Sequence, residues 1–358
     1  MPGVDIPARL ISCLQEGVTK RCDVFLVDKW LQDLEKDYCK DLVKDTNASL
    51  IWLESCNTVA SESNKSYSPF TFDFDSLYDS IDPQLAFTAL QDAMSTCREL
   101  WSDEFKSWLL GLIQLSIDSS TVEYLGRFFR ALSGLPTGGS LIVQLANITV
   151  FYVLHRVLYS NNRLMKDVVS IKRFIDDGIG IHTMTSQQFD LWKRSVNDGV
   201  SVFGLKIKDS DWSTPSEKFG MINFLDINFS FDKDNVLQTD LYVKPTDSRS
   251  YLNYSSCHPQ YTFSGTVYSQ ALRLRRIINC NLRLVRRLQE LGEDFARCNY
   301  PVDMIENILH KVSCMDRCLD GEKDPSIADN DAIMVISTYG RDKQLTDSVR
   351  FLQKIVKT

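Results

Sequence analysis

Residues Phe174-Ile175-Asp176-Asp177-Gly178-Ile179-Gly180-Ile181 decide how this chain is read. An apolar-basic run, Val168 to Arg173, leads into them. Strand-forming residues on both sides of a short break predict strand, tight turn, strand, with two carboxylates at the hairpin tip. Adjacent carboxylates repel unless a cation lies between them, and a divalent metal with oxygen ligands is the commonest solution. The doublet alone is weak evidence, because Asp-Asp also occurs in ordinary surface turns. Its meaning depends on a third carboxylate elsewhere in the fold.

Phe72-Asp73-Phe74-Asp75 supplies one, at the end of an apolar strand over residues 69–74. If that strand neighbours the hairpin, Asp73 and Asp176 converge on one edge of a sheet. Three carboxylates can hold two Mg²⁺ ions, one activating a 3′-hydroxyl and the other steadying a leaving pyrophosphate. Spacing alone equally admits three unrelated turn aspartates.

The remaining pattern alternates helices and strands. A helix is expected over 28–42, another opened by Asp82-Pro83 and running to about residue 100, and a third over 101–115. A strand follows at 123–132, then a Gly/Pro loop from Gly134 to Ser140, and a buried helix over 141–158. Beyond the hairpin come a helix at 185–200, a strand at 204–208, strands at 221–231 and 237–243, and a long basic helix over 266–291. A helix at 301–319 and a terminal strand and helix complete the chain. This order predicts an α+β fold, a sheet with helices on one face.

The chain has 358 residues, 44% hydrophobic and 24% charged, with net charge −7. No signal peptide opens it and no apolar run is long enough for a membrane span, so an intracellular protein of nucleus or cytoplasm is expected, with no membrane partner. Ten cysteines without a Cys-x-x-Cys pair suit free thiols better than disulfides. His310, Cys314 and Cys318 have loose zinc-like spacing, better read as ordinary side chains. Charge is unevenly spread: residues 241–358 carry 17 basic and 14 acidic side chains, and none of the acids falls between Ser269 and Gln289. A local basic face is enough to bind a nucleic-acid backbone.

Taken together, Asp73, the Gly134-Leu135-Pro136-Thr137-Gly138 loop and Phe174-Ile175-Asp176-Asp177 resemble the palm of a reverse transcriptase. Asp73 through Ile81, Phe224-Leu225-Asp226-Ile227, Lys244-Pro245-Thr246-Asp247 with Tyr251-Leu252 and His258-Pro259, and Tyr268 through Ile277 resemble the reverse transcriptases of Penelope-like retroelements. The resemblance implies a right-hand polymerase: partial fingers (1–66), palm (67–232), and a primer-grip-adjacent hairpin with a helical thumb (233–358). It implies that Asp73, Asp176 and Asp177 are catalytic and bind two Mg²⁺ ions, or Mn²⁺ in their place. Arg9, Tyr78, Gly138 and Lys206 would bind the dNTP. Arg9 would hold the triphosphate, Tyr78 would exclude the 2′-hydroxyl, and Lys206 (or Lys208) would act as general acid. Gly134, Phe224, Leu225, Arg273, Arg276, Arg283, Arg286 and Arg287 would contact template and primer.

The implied partners are an RNA template, a DNA primer or nicked target DNA, and dNTPs. Thr137, Gly139-Ser140 and Ile142-Val143 depart from the family's loop. A preceding fingertip strand is missing, and the GIY-YIG endonuclease many relatives carry is expected to have been lost or to lie on flanking sequence. Two other readings stay open: an inactive or repurposed nucleic-acid-binding palm-thumb fragment, and an RNA-dependent RNA polymerase, for which Asp79 speaks.

Overall fold

The structure, a computed structural model, describes residues 19–61, 65–124, 127–129, 133–159, 164–215 and 220–319. The elements in chain order are α1 (Lys20–Leu26), a π-helical turn (Val27–Leu31), α2 (Gln32–Tyr38), α3 (Thr46–Ser61), β1 (Ser68–Asp73), α4 (Leu77–Ser80), α5 (Pro83–Cys97) and α6 (Asp103–Asp118). Then come β2 (Val122–Tyr124), β3 (Arg127–Phe129), α7 (Ile142–Tyr159), β4 (Val168–Phe174), β5 (Asp177–His182), α8 (Ser186–Ser201), β6 (Ile222–Phe224), β7 (Ile227–Phe231) and β8 (Leu237–Leu241). Three helices follow: α9 (Gln260–Ile277), α10 (Asn281–Arg297) and α11 (Val302–Ser313). The fold is α+β, as the alternation predicts, and its sheets are antiparallel.

Contacts divide the chain into two compact units, residues 1–45 with 62–224, and residues 46–61 with 225–358. The first is built on a three-stranded sheet in the order β1-β5-β4. The glycines of β5 fix its register. Phe72 faces Gly178 and Phe70 faces Gly180, and a Cβ on either glycine would fall inside the opposing ring. Only a bare Cα accepts these rings, and both rings are buried. The same pairing sets Asp73 opposite Asp177.

Helices α2, α5 and α7 pack on one another, and α8 packs on α7. Two starts follow their sequence signals: Asp82 caps α5, with Pro83 in its first turn, and Thr185 with Gln188 forms a capping box at α8. Helix α7 is long and apolar enough to cross a bilayer, contrary to the sequence expectation, and 61% of it is buried, in the same hydrophobic cluster as Phe70 and Phe72.

In the second unit, β7 and β8 form an antiparallel pair, α9 packs on β8 and α11, and α10 packs on α9 and α11. Helix α3 joins this unit although its chain neighbours belong to the first. Its Asn57 Oδ1 accepts the Leu237 N–H (2.7 Å), and its Glu54 pairs with Arg317 (2.5 Å).

Several local expectations are corrected. The helix expected over 28–42 starts earlier and ends at Tyr38. The strand expected at 123–132 is two short strands paired with each other. Residues 205–208 alternate buried and exposed without joining a sheet. The single basic helix over 266–291 is two helices, interrupted at residues 278–280. Asn279 causes the break: its Nδ2 donates to Leu237 O (2.6 Å) and its Oδ1 accepts from Thr239 N (3.0 Å). Those bonds to β8 replace helix continuation. The terminal strand and helix expected after residue 319 lie outside the described residues.

Candidate active site

Among the described residues, one set of metal-ligating side chains converges: Asp73, Asp176 and Asp177, with ligand oxygens all within 4.8 Å of one another. Asp73 ends β1, Asp177 opens β5 opposite it, and Asp176 sits in the turn between β4 and β5. The turn is made by Ile175, which stands at φ 57°, a region β-branched residues seldom enter. Carboxylates this close repel by on the order of 1–3 kcal/mol per pair, depending on screening. Asp73 is exposed and the other two are half-buried, so the set is open to an incoming ligand. Hard oxygen donors with open positions fit Mg²⁺ or Mn²⁺. His310, Cys314 and Cys318 form no comparable set.

The expected neighbours of the triad are partly assembled. Tyr78, half-buried in α4, accepts the Leu135 N–H on its carbonyl (2.7 Å). That bond draws in the Gly/Pro loop. Gly134 has φ 79°, and a Cβ there would meet Asp79 Cα at 2.9 Å and the Tyr78 carbonyl at 3.0 Å. Its lack of a side chain is thus used to seat the loop on the Tyr78–Asp79 backbone. Gly138 is exposed, with φ 105°.

Lys206 is exposed, and its carbonyl accepts from Asp75 N (2.9 Å). Lys208 instead pairs with the Asp75 carboxylate (2.7 Å), and this bond holds Asp75 below the usual carboxylate range. Phe224 is buried at the end of β6, and Leu225 follows at φ 53°. Arg9 lies outside the described residues.

The arginines of the expected thumb divide between α9 and α10 and are largely engaged within their own unit. Arg273 pairs with Asp226 (2.7 Å), whose carboxylate also accepts from the Thr46 hydroxyl. Arg287 forks onto Asp240 (2.9 and 3.1 Å) and reaches Glu290 (2.9 Å). Arg286 touches Glu290 (3.2 Å) but its side chain is 80% exposed. Arg276 is exposed and Arg283 half-buried. An acid-free stretch of sequence therefore does not make an acid-free surface here, because the carboxylates arrive from β8, from the turn before β7 and from the next turn of α10.

Sequence reading missed Arg173. It lies on β4 next to Lys172, and adjacent side chains on a strand point to opposite faces, so where one face of the sheet is packed one of the two cations turns inward. That was the available signal, and Arg173 is the one that faces inward, fully buried.

The fold is similar to solved telomerase structures. One from Candida albicans, in complex with a TWJ fragment of telomeric RNA, aligns with TM-score 0.57 at 11% identity, covering 82% of this chain and 48% of that one. Apo telomerase from Candida tropicalis aligns with TM-score 0.51 at 13% identity, covering 84% and 50%. The Candida tropicalis complex with a TWJ fragment of telomeric RNA gives 0.51 at 13%, covering 84% and 54%. The chain spans about half the length of the structures it matches. The chain thus shares its fold with these telomerase structures. Residues 250–310 match the model of an animal helix-turn-helix domain; they include α9, α10 and most of α11. No curated protein matches by sequence.

Proposed function

We propose that this chain is the core of an RNA-directed DNA polymerase from a Penelope-like retroelement, working inside the cell on an RNA template with a DNA primer or nicked target. The observation that carries the reading is the convergence of Asp73, Asp176 and Asp177 within 4.8 Å in a fold similar to that of the telomerase structures. These three carboxylates would hold two Mg²⁺ ions, or Mn²⁺. When bound, the ions supply Lewis-acid activation of a primer 3′-hydroxyl and neutralise charge on the leaving pyrophosphate.

The protein's own groups serve positioning. Tyr78, five residues after Asp73, limits room under the sugar and so favours dNTPs over NTPs. Gly138 offers backbone without a side chain. Lys206 is the better-placed general acid, because Lys208 is occupied by Asp75. Arg9 is assigned to the triphosphate from sequence resemblance alone. Arg276 and Arg286 are the arginines most open to a phosphate backbone, with Arg273 and Arg283 beside them, and Arg287 supports their unit. Gly134, Phe224 and Leu225 shape the loop and turn that would face template and primer.

The test is Mg²⁺-dependent dNTP incorporation on a primed RNA template. Asp176→Ala should abolish it, and a preference for NTPs would replace this reading with an RNA-dependent RNA polymerase. A second reading, a non-catalytic nucleic-acid-binding module, draws on the helix-turn-helix match over residues 250–310. It wins if wild type and Asp176→Ala are equally inert yet bind primer-template equally well.

A further inference from the structure

Arg173 leads the largest fully buried side chains of the described residues. A buried guanidinium is retained only where its donors are satisfied, and this one is held on three sides. Its Nε meets Asp41 Oδ2 (3.1 Å). Its Nη1 and Nη2 reach Asn147 Oδ1 (3.1 Å) and Asn147 O (2.9 Å) in α7. Asn147 is itself fixed by donating to Glu35 Oε1 (2.6 Å). The remaining bond runs from Nη1 to the carbonyl of Ile175 (2.5 Å). Ile175 is the residue at φ 57° that makes the turn carrying Asp176.

We propose that Arg173 is a positioning residue for the carboxylate turn. Its fork ties the Ile175 carbonyl to α7 and to Asp41, and thereby selects the turn conformation that delivers Asp176 beside Asp73 and Asp177. A β-branched residue disfavours that backbone region on its own, so the turn needs an external hold, and Arg173 provides it. Arginine suits the task because a rigid planar fork spans several acceptors at once, where lysine offers a single point. What the carboxylates hold rests on the proposed function; how the turn is held does not.

The test is Mn²⁺ titration of the full chain by electron paramagnetic resonance, with circular dichroism as the fold control. Arg173→Lys should weaken Mn²⁺ binding by about 10-fold, the scale of losing a partner that orients a metal ligand. Adding Ile175→Gly should restore affinity to within about 3-fold, because glycine enters the turn conformation unaided.

An unchanged affinity in Arg173→Lys overturns the proposal. So does a loss that Ile175→Gly fails to rescue, which would mean that Arg173 serves general stability. If Arg173→Lys does not fold, Asn147→Ala replaces it: it frees one anchor of the guanidinium and should show a smaller loss with the same rescue, and no loss overturns the proposal. If wild type binds no Mn²⁺ that Asp176→Asn abolishes, the proposed function fails. Hydrogen exchange of the 174–178 backbone then decides the positioning role: faster exchange in Arg173→Lys, reversed by Ile175→Gly, supports it, and unchanged exchange overturns it.

Discussion

Gly178→Ala should loosen the register that aligns the three carboxylates. In β5, Gly178 faces Phe72 of β1, and an added Cβ would lie inside the Phe72 ring. The ring has nowhere cheap to go. It is 4% exposed and also packs on Trp212 (5.1 Å between centroids), Phe74 (5.8 Å) and Phe70 (6.4 Å). Overpacking of this kind costs about 1–3 kcal/mol. Replacing glycine lowers the entropy of the unfolded chain and returns about 0.4–1 kcal/mol. Taking the centres of the two ranges, the net loss is about 1.3 kcal/mol, or roughly 3–5 °C in melting temperature for a unit of this size.

The assay is thermal unfolding followed by tryptophan fluorescence, to which Trp212 contributes directly. Phe72→Leu is destabilising by itself, but it makes room for the new methyl. The double variant should therefore be more stable than the sum of the singles by about 1 kcal/mol or more. Mn²⁺ affinity should fall in Gly178→Ala and recover in part in the double variant. A Gly178→Ala protein within about 0.5 kcal/mol of wild type, or strict additivity of the two changes, would refute the register argument.

Three further outcomes are expected. His182 is buried against Phe189 (4.3 Å, near-parallel) and its Nδ1 accepts the Met184 N–H; burial depresses its pKa to about 4. The unfolded chain protonates this ring first, so its contribution is complete above about pH 6.5 and about 2–3 kcal/mol is lost as pH falls toward 4; urea titrations from pH 7 to 5 should show a slope that His182→Gln flattens. Arg286→Ala should leave stability within about 0.5 kcal/mol while weakening primer-template binding and lowering its salt slope by about 1, whereas Arg287→Ala should lower the melting temperature of the second unit, because Asp240 loses its arginine and Glu290 keeps only Arg286 and Arg249. Gly134→Ala should cost about 1–3 kcal/mol, since its positive φ and the Asp79 backbone both resist a Cβ; a neutral melting temperature would sink that reading.

Much of the candidate site was legible because its signals are local. The carboxylate hairpin is written as strand residues around a two-residue break, and Asp73 as the end of an apolar strand. The α5 and α8 starts follow capping residues that act within one turn. The Gly/Pro loop marks itself by composition. The basic face expected over 266–291 was not legible in the same way, because an acid-free run of sequence says nothing of the carboxylates that other elements bring to it.

The hairpin, its carboxylates, the apolar helix α7 and the α+β alternation can be read from the chain alone, since each follows from spacing, turn chemistry or capping among near neighbours. Other features depend on contacts that folding creates. Asn279 breaks the basic helix by bonding to β8, with no glycine or proline to announce it. Helix α3 joins the second unit through Asn57 and Glu54, whose partners lie 180 and 263 residues further along the chain. The arginines of α9 and α10 meet carboxylates from other strands and turns. Arg173 is buried because Asp41, Asn147 and Ile175 surround it. Hydrogen-bond partners far apart in the chain leave no period in the sequence, so the fate of a polar side chain is known only once the fold has brought its partners to it.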